Sequence, residues 1–153
     1  SRDRVAGGDG RHGGGVGWFD VTPGWVVAAR ADAAADGETL PVVNLLGDVN
    51  EVPVAAWLSF EIEGRCHRLV ATAAGDGLFV NFRDATSGVT TYGAGRFLRV
   101  DAPRDGTALI DFHRAYQPPC AHTPHATCPL PPLANRLPFA VTAGERAAVD
   151  PAG

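Results

Sequence analysis

The sequence predicts an all-β fold: an antiparallel barrel or sandwich of eight to ten short strands with a long, ordered, proline-rich loop. Residues 55–63 alternate cleanly, with Leu58, Phe60 and Ile62 pointing one way and Ser59, Glu61 and Glu63 the other, the period of a strand with one buried face. Similar short apolar runs recur at near-regular spacing, separated by turn residues. The 153 residues include 19 Gly and 12 Pro, which favour turns, and no stretch has a convincing helical period. A chain of this length suits one core. We expect a single β domain at 16–147, a flexible glycine-rich lead-in at 1–15 and a polar tail at 148–153.

The elements follow in chain order. Trp18 and Phe19 open the apolar part, and Thr22-Pro23-Gly24 reads as a turn. A short strand is expected at 25–30, a loop or weak helical turn at 31–38, and a second strand at 40–46 with Pro41 near its start or on an edge. Residues 47–53 are polar and turn-rich. The strand at 55–63 turns at Glu63-Gly64 into a partner at 66–72, a hairpin signal. Cys66 and His67 fall on opposite faces there, which makes them poor joint ligands. Gly75-Asp76-Gly77 is a turn, and 78–84 is a strand with Leu78, Val80 and Phe82 on its apolar face. A Gly/Thr loop fills 85–95, with a short strand at 89–92; a strand follows at 96–100 and an Asp-Gly turn at 102–106. Strands at 107–113 and 137–142 bracket the proline-rich loop of 117–135.

Composition narrows the partners. Net charge is −4, and all 13 basic residues are arginine with no basic cluster, so no nucleic-acid partner is expected. No apolar run approaches the ~18 residues that a membrane helix needs, and no signal peptide is visible, so no membrane partner is expected. The chain has no methionine, so its natural start is missing or trimmed. Three cysteines, an odd number, favour a reducing cytoplasm. No phosphate-binding loop, nucleophile elbow or zinc-protease helix motif occurs. Oligomeric state is not legible.

The chemistry concentrates in 111–136, DFHRAYQPPCAHTPHATCPLPPLANR, which holds two of the three cysteines and three of the five histidines. Strand alternation in 107–113 puts Asp111 and His113 on one face, their Cα atoms about 6.5–7 Å apart. A carboxylate at that distance can orient an imidazole for acid–base work. Cys120, His122, His125 and Cys128 form C-x-H-x2-H-x2-C, four ligand types that zinc accepts, although tighter than standard zinc modules. A Cys120–Cys128 disulfide, or two free thiols beside surface histidines, fits the same residues. No cofactor is expected, zinc being the one exception that the ligand types allow.

Residues 84–98 (DATSGVTTYGAGRFL), 111–138 and 143–145 (AGE) resemble the bacterial and archaeal family known as domain of unknown function 1684. The opening Trp18-Phe19 and Pro23 are similar to the start of that family, so the resemblance spans about 18–146. It implies a mainly β domain in the bacterial cytoplasm, and no activity. The matching polar residues are Asp84, Thr86, Thr91, Tyr92, Arg96, Asp111, Tyr116, Cys120, Cys128 and Asn135. Departures fall at His113 and Gln117, where the family pattern has Asn, and at His122 and His125, where it has an aromatic.

The leading expectation is a small-molecule enzyme with a His113–Asp111 acid–base pair performing hydrolysis, elimination or cyclisation. Tyr92 and Arg96 would bind or polarise the substrate, and Tyr116, Asp84, His122 and His125 would line the pocket. The alternatives are a non-catalytic small-molecule binding module and a zinc- or disulfide-clipped interaction domain.

Overall fold

A computed structural model describes residues 17–123 and 127–147. The expected lead-in, the tail, His12 and His125 lie outside the described residues.

Ten strands occur among the described residues: β1 (Gly17–Trp18), β2 (Val26–Ala33), β3 (Thr39–Val43), β4 (Val49–Pro53), β5 (Ala56–Ile62), β6 (Arg65–Ala74), β7 (Gly77–Phe82), β8 (Arg96–Val100), β9 (Thr107–Asp111) and β10 (Glu145–Arg146). Six form one antiparallel sheet in the order β9-β2-β5-β6-β7-β8, curled into a half-barrel. β3 pairs with β4, and β1 with β10, as separate two-stranded ribbons. The all-β architecture follows the expectation.

Alternation decides which face is buried. Ala56, Leu58 and Phe60 of β5, Leu69 and Ala71 of β6, Leu78, Val80 and Phe82 of β7, and Ala108 and Ile110 of β9 all enter the core. The Phe112 ring, fully buried, fills the middle of this face. It meets Trp25 at 5.7 Å, Phe82 at 5.9 Å and Phe60 at 6.1 Å between ring centres, each edge to face. That geometry sets the positive edge of one ring against the negative face of another. Glu63 and Gly64 at φ 52° and 78° turn β5 into β6, the left-handed pair that a tight hairpin needs.

Several expected boundaries move. β2 runs on to Ala33, into the stretch read as loop, and β3 stops at Val43. The polar stretch 47–53 contains β4, because pairing with β3 from Thr39↔Pro53 to Val43↔Val49 satisfies its backbone and leaves its side chains mostly in water. Residues 89–92 form no strand; a tight turn there leaves an isolated bridge between Ser87 and Thr91. Residues 137–142 form no strand either: the segment shares only single backbone bonds with 83–85, Leu137 N–H to Arg83 C=O (2.7 Å) and Ala85 N–H to Phe139 C=O (2.9 Å), and at Val141 side chains take over, its N–H bonding to the Asp84 carboxylate and its C=O to Arg96. β9 ends at Asp111, where Phe112–Arg114 winds into a 3-10 turn.

Candidate functional site

That turn changes the basis of the Asp111–His113 pair. The two do not share a strand face. Asp111 caps the turn instead, its Oδ1 accepting from His113 N–H at 3.0 Å and meeting Nδ1 of the ring at 2.8 Å. The far nitrogen, Nε2, accepts from the backbone N–H of Thr22 at 3.0 Å. An imidazole that accepts at Nε2 carries its proton on Nδ1 and donates it to Asp111. Both nitrogens are therefore engaged by protein, and the ring ties the 22–25 turn to the end of β9.

Arg96 is fully buried at the start of β8. Its NH1 donates to the carbonyls of Ala143 (2.5 Å) and Glu145 (3.0 Å), and its NH2 to that of Val141 (2.9 Å). Asp84 Oδ1 lies 3.8 Å from NH2. Burial pushes the guanidinium below its ordinary pKa, while Asp84 and Glu145 pull it back up. Nε has no hydrogen-bond partner among the described residues, but the guanidinium carbon sits 5.3 Å from the Phe82 ring centre, a cation–π contact. Asp84 in turn accepts from Thr86 Oγ1 at 2.9 Å and from Val141 N–H at 2.6 Å. Glu145 accepts from Gln117 N–H at 2.8 Å, and Gln117 Oε1 from Tyr92 N–H at 3.1 Å. This network fastens the 84–96 loop and the 115–117 segment to 141–145.

The proline-rich loop carries a sulfur pair. Cys128 is buried and its Sγ accepts from Cys120 N–H at 3.4 Å, and the side chain of Cys120 also touches those of Cys128 and Tyr92. Burial raises the Cys120 thiol, with contact to Cys128 adding to it; burial also raises the Tyr92 phenol, helped by Cys120. All three cysteines are free thiols. His122 is exposed, and no three His, Cys, Asp or Glu side chains form a metal-holding group among the described residues, which do not include His125. Tyr116 packs edge to face on Phe97 at 5.8 Å.

Two asparagines that the sequence reading left without a role build a different place. The β6–β7 ladder pairs Thr72↔Phe79, Ala73↔Leu78 and Ala74↔Gly77. Two residues further, the same register would set Val70 opposite Asn81, but the strands splay there and the Asn135 amide fills the gap. Its Oδ1 accepts from Val70 N–H at 2.7 Å, and its Nδ2 donates to the carbonyls of Val70 and Asn81, each at 2.9 Å. On the convex side of this splay lies a hollow of about 140 Å³. Val70, Phe79 and Asn81 form its floor, Leu40, Val42 and Val52 of the β3–β4 ribbon one wall, and Pro129, Leu130 and Pro132 the other. Segment 128–130 is held against the ribbon by Leu45 N–H to Cys128 C=O (3.2 Å) and Leu130 N–H to Val43 C=O (2.7 Å). A second, broader hollow of about 710 Å³ opens beside Trp25, His67 and Phe139, with Glu61, Glu63 and Arg65 on it. Neither hollow is lined by Asp111, His113, Tyr92, Arg96, Tyr116, His122 or Asp84. His113 turns to Thr22 and His122 to solvent, and His125 lies outside the described residues.

A family profile described as "Protein of unknown function (DUF1684)" matches residues 14–146. The chain belongs to the DUF1684 family. This DUF1684 chain is also similar to an uncharacterized protein from Haloarcula marismortui solved by solution NMR. The two share 35% identity over 86% of this chain and 75% of that one, with a TM-score of 0.68. No curated protein matches the DUF1684 chain.

Proposed function

We propose that this DUF1684 member is a non-catalytic binding domain that takes a small, neutral, largely apolar molecule into the hollow between the β6–β7 splay and the β3–β4 ribbon. One observation carries the reading. The hollow is walled mainly by aliphatic side chains, prolines and Phe79, with Thr72, Asn81 and Asn135 as its polar members and no charged residue, while the groups best suited to catalysis are spent on backbone partners. Pockets for small molecules have this make-up, mostly apolar with few polar groups. The volume of about 140 Å³ is close to the ~150 Å³ of an engineered apolar cavity that holds benzene. Titration of the protein with benzene should move the methyl resonances of Val42, Val70 and Leu130 in a saturable way and leave Ala29, in the concave core, unmoved. Absence of any localised shift removes the proposal.

A second reading, acid–base turnover of a small molecule by His113 with Asp111, is favoured by their 2.8 Å contact and requires Thr22 to vacate Nε2. Replacing His113 by Asn separates the two readings. Binding in the ribbon hollow should survive the change, whereas any turnover that depends on the imidazole should be abolished. We place the protein in the cytoplasm on the strength of its three free thiols. Among the described residues no helix is long and apolar enough to cross a membrane.

A further inference from the structure

Asn81 gives the hollow a chemical preference. Its side chain lies on the β7 face shared with Phe79, and only 8% of the residue is exposed. The amide Nδ2 donates to the Pro129 carbonyl at 2.9 Å, which leaves Oδ1 as the free end of the group. That oxygen is buried and has no hydrogen-bond partner among the described residues. A buried carbonyl without a donor is destabilising, so such an atom beside a ligand-sized hollow is a stored preference for a donor. The neighbouring amide cannot supply one: Asn135 spends its Nδ2 on the Val70 and Asn81 carbonyls.

Resting on the binding function proposed above, we infer that the guest is a neutral, ring-sized molecule bearing one O–H or N–H donor, of the phenol type, and that the Asn81 amide, whose Oδ1 is closed to water beside the hollow, turns to accept from it. Three features fix the class. A volume of about 140 Å³ admits one small ring. The walls, Val42, Val52, Val70, Phe79, Leu130 and the prolines, take its apolar body. An ammonium or carboxylate would lose its hydration against a lining without a charged residue, so the donor is uncharged.

The test compares phenol with toluene, alike in shape and differing in the donor, on the full chain and on Asn81→Leu. The wild type should favour phenol, relative to the same comparison on Asn81→Leu, by about tenfold in Kd, the worth of one buried hydrogen bond. The side-chain amide resonances of Asn81 give a readout that needs no variant: they should move with phenol and stay still with toluene. If both molecules bind and neither the affinity ratio nor the amide resonance distinguishes them, the donor inference falls and the apolar pocket stands. If neither molecule binds, the binding function itself falls, and the donor inference with it.

Discussion

Arg96 brings a full charge to the centre of a β domain, and its surroundings explain how that is tolerated. Three carbonyls and the Asp84 carboxylate lie on its terminal nitrogens, so the ion is solvated by backbone in place of water. Replacing Arg96 by Met leaves Asp84 buried without its cation and should cost about 3–5 kcal/mol, read as a fall in the urea midpoint. Arg96→Lys should recover only part of this, since an ammonium cannot span the same fork of acceptors. Thiol chemistry gives a milder residue-scale test. Cys66 is exposed, Cys120 half-buried and Cys128 buried, so a thiol reagent should label Cys66 first and the other two far more slowly. Burial raises the Cys120 thiol above 9.0 and the Tyr92 phenol above 10.0, so the folded chain keeps these protons longer than the unfolded chain does. The stability linked to them is whole below pH 9 and drains away as pH climbs from there through the folded values. A thermal midpoint that falls faster above pH 9 in the wild type than in Cys120→Ala is the expected result.

At the scale of elements, side-chain amides and carboxylates complete what strands leave undone. Asn135 stands in for a rung between β6 and β7. Asn135→Leu, of similar volume, leaves Val70 N–H and the carbonyls of Val70 and Asn81 unpaired, at about 1–3 kcal/mol for each group. The Val70 amide should then lose its protection from hydrogen exchange before the β5–β6 ladder loosens. Gly144 sits between two carbonyls that Arg96 uses; at φ 83°, a Cβ there would lie 2.6 Å from the Ala115 carbonyl oxygen. Gly144→Ala should therefore destabilise well beyond the entropy change of an ordinary Gly-to-Ala replacement. These devices also mark where sequence reading stops. The β5–β6 hairpin was legible because alternation and a Glu-Gly turn are local signals. β4 was not, since Asp-Val-Asn-Glu-Val-Pro is too polar to show a buried face and owes its form to β3. Residues 137–142 alternate like a strand, yet they share only two backbone bonds with 83–85, and Val141 is held by the side chains of Arg96 and Asp84, which no periodicity reveals.

Across the whole molecule, the candidate site was the least legible feature. The segment 111–136 does carry much of the architecture, but its two described histidines act apart: His113 ties a turn and His122 faces water. Asn81 and Asn135 are 54 residues apart in sequence, and their meeting depends on a local splay between strands that composition does not encode. What the resemblance implied, a mainly β member of one family, is what the fold and the family profile show.

The reach of Arg96 has a bearing on how the protein is made. Its acceptors lie 45, 47 and 49 residues further along the chain. While a ribosome is still translating that interval, the guanidinium has none of them, and Asp84 lacks its bond from Val141. Nascent chains arrested before codon 141 should stay open to protease, and resistance should arrive in one step once residues 141–146 clear the exit tunnel and β10 can close on β1.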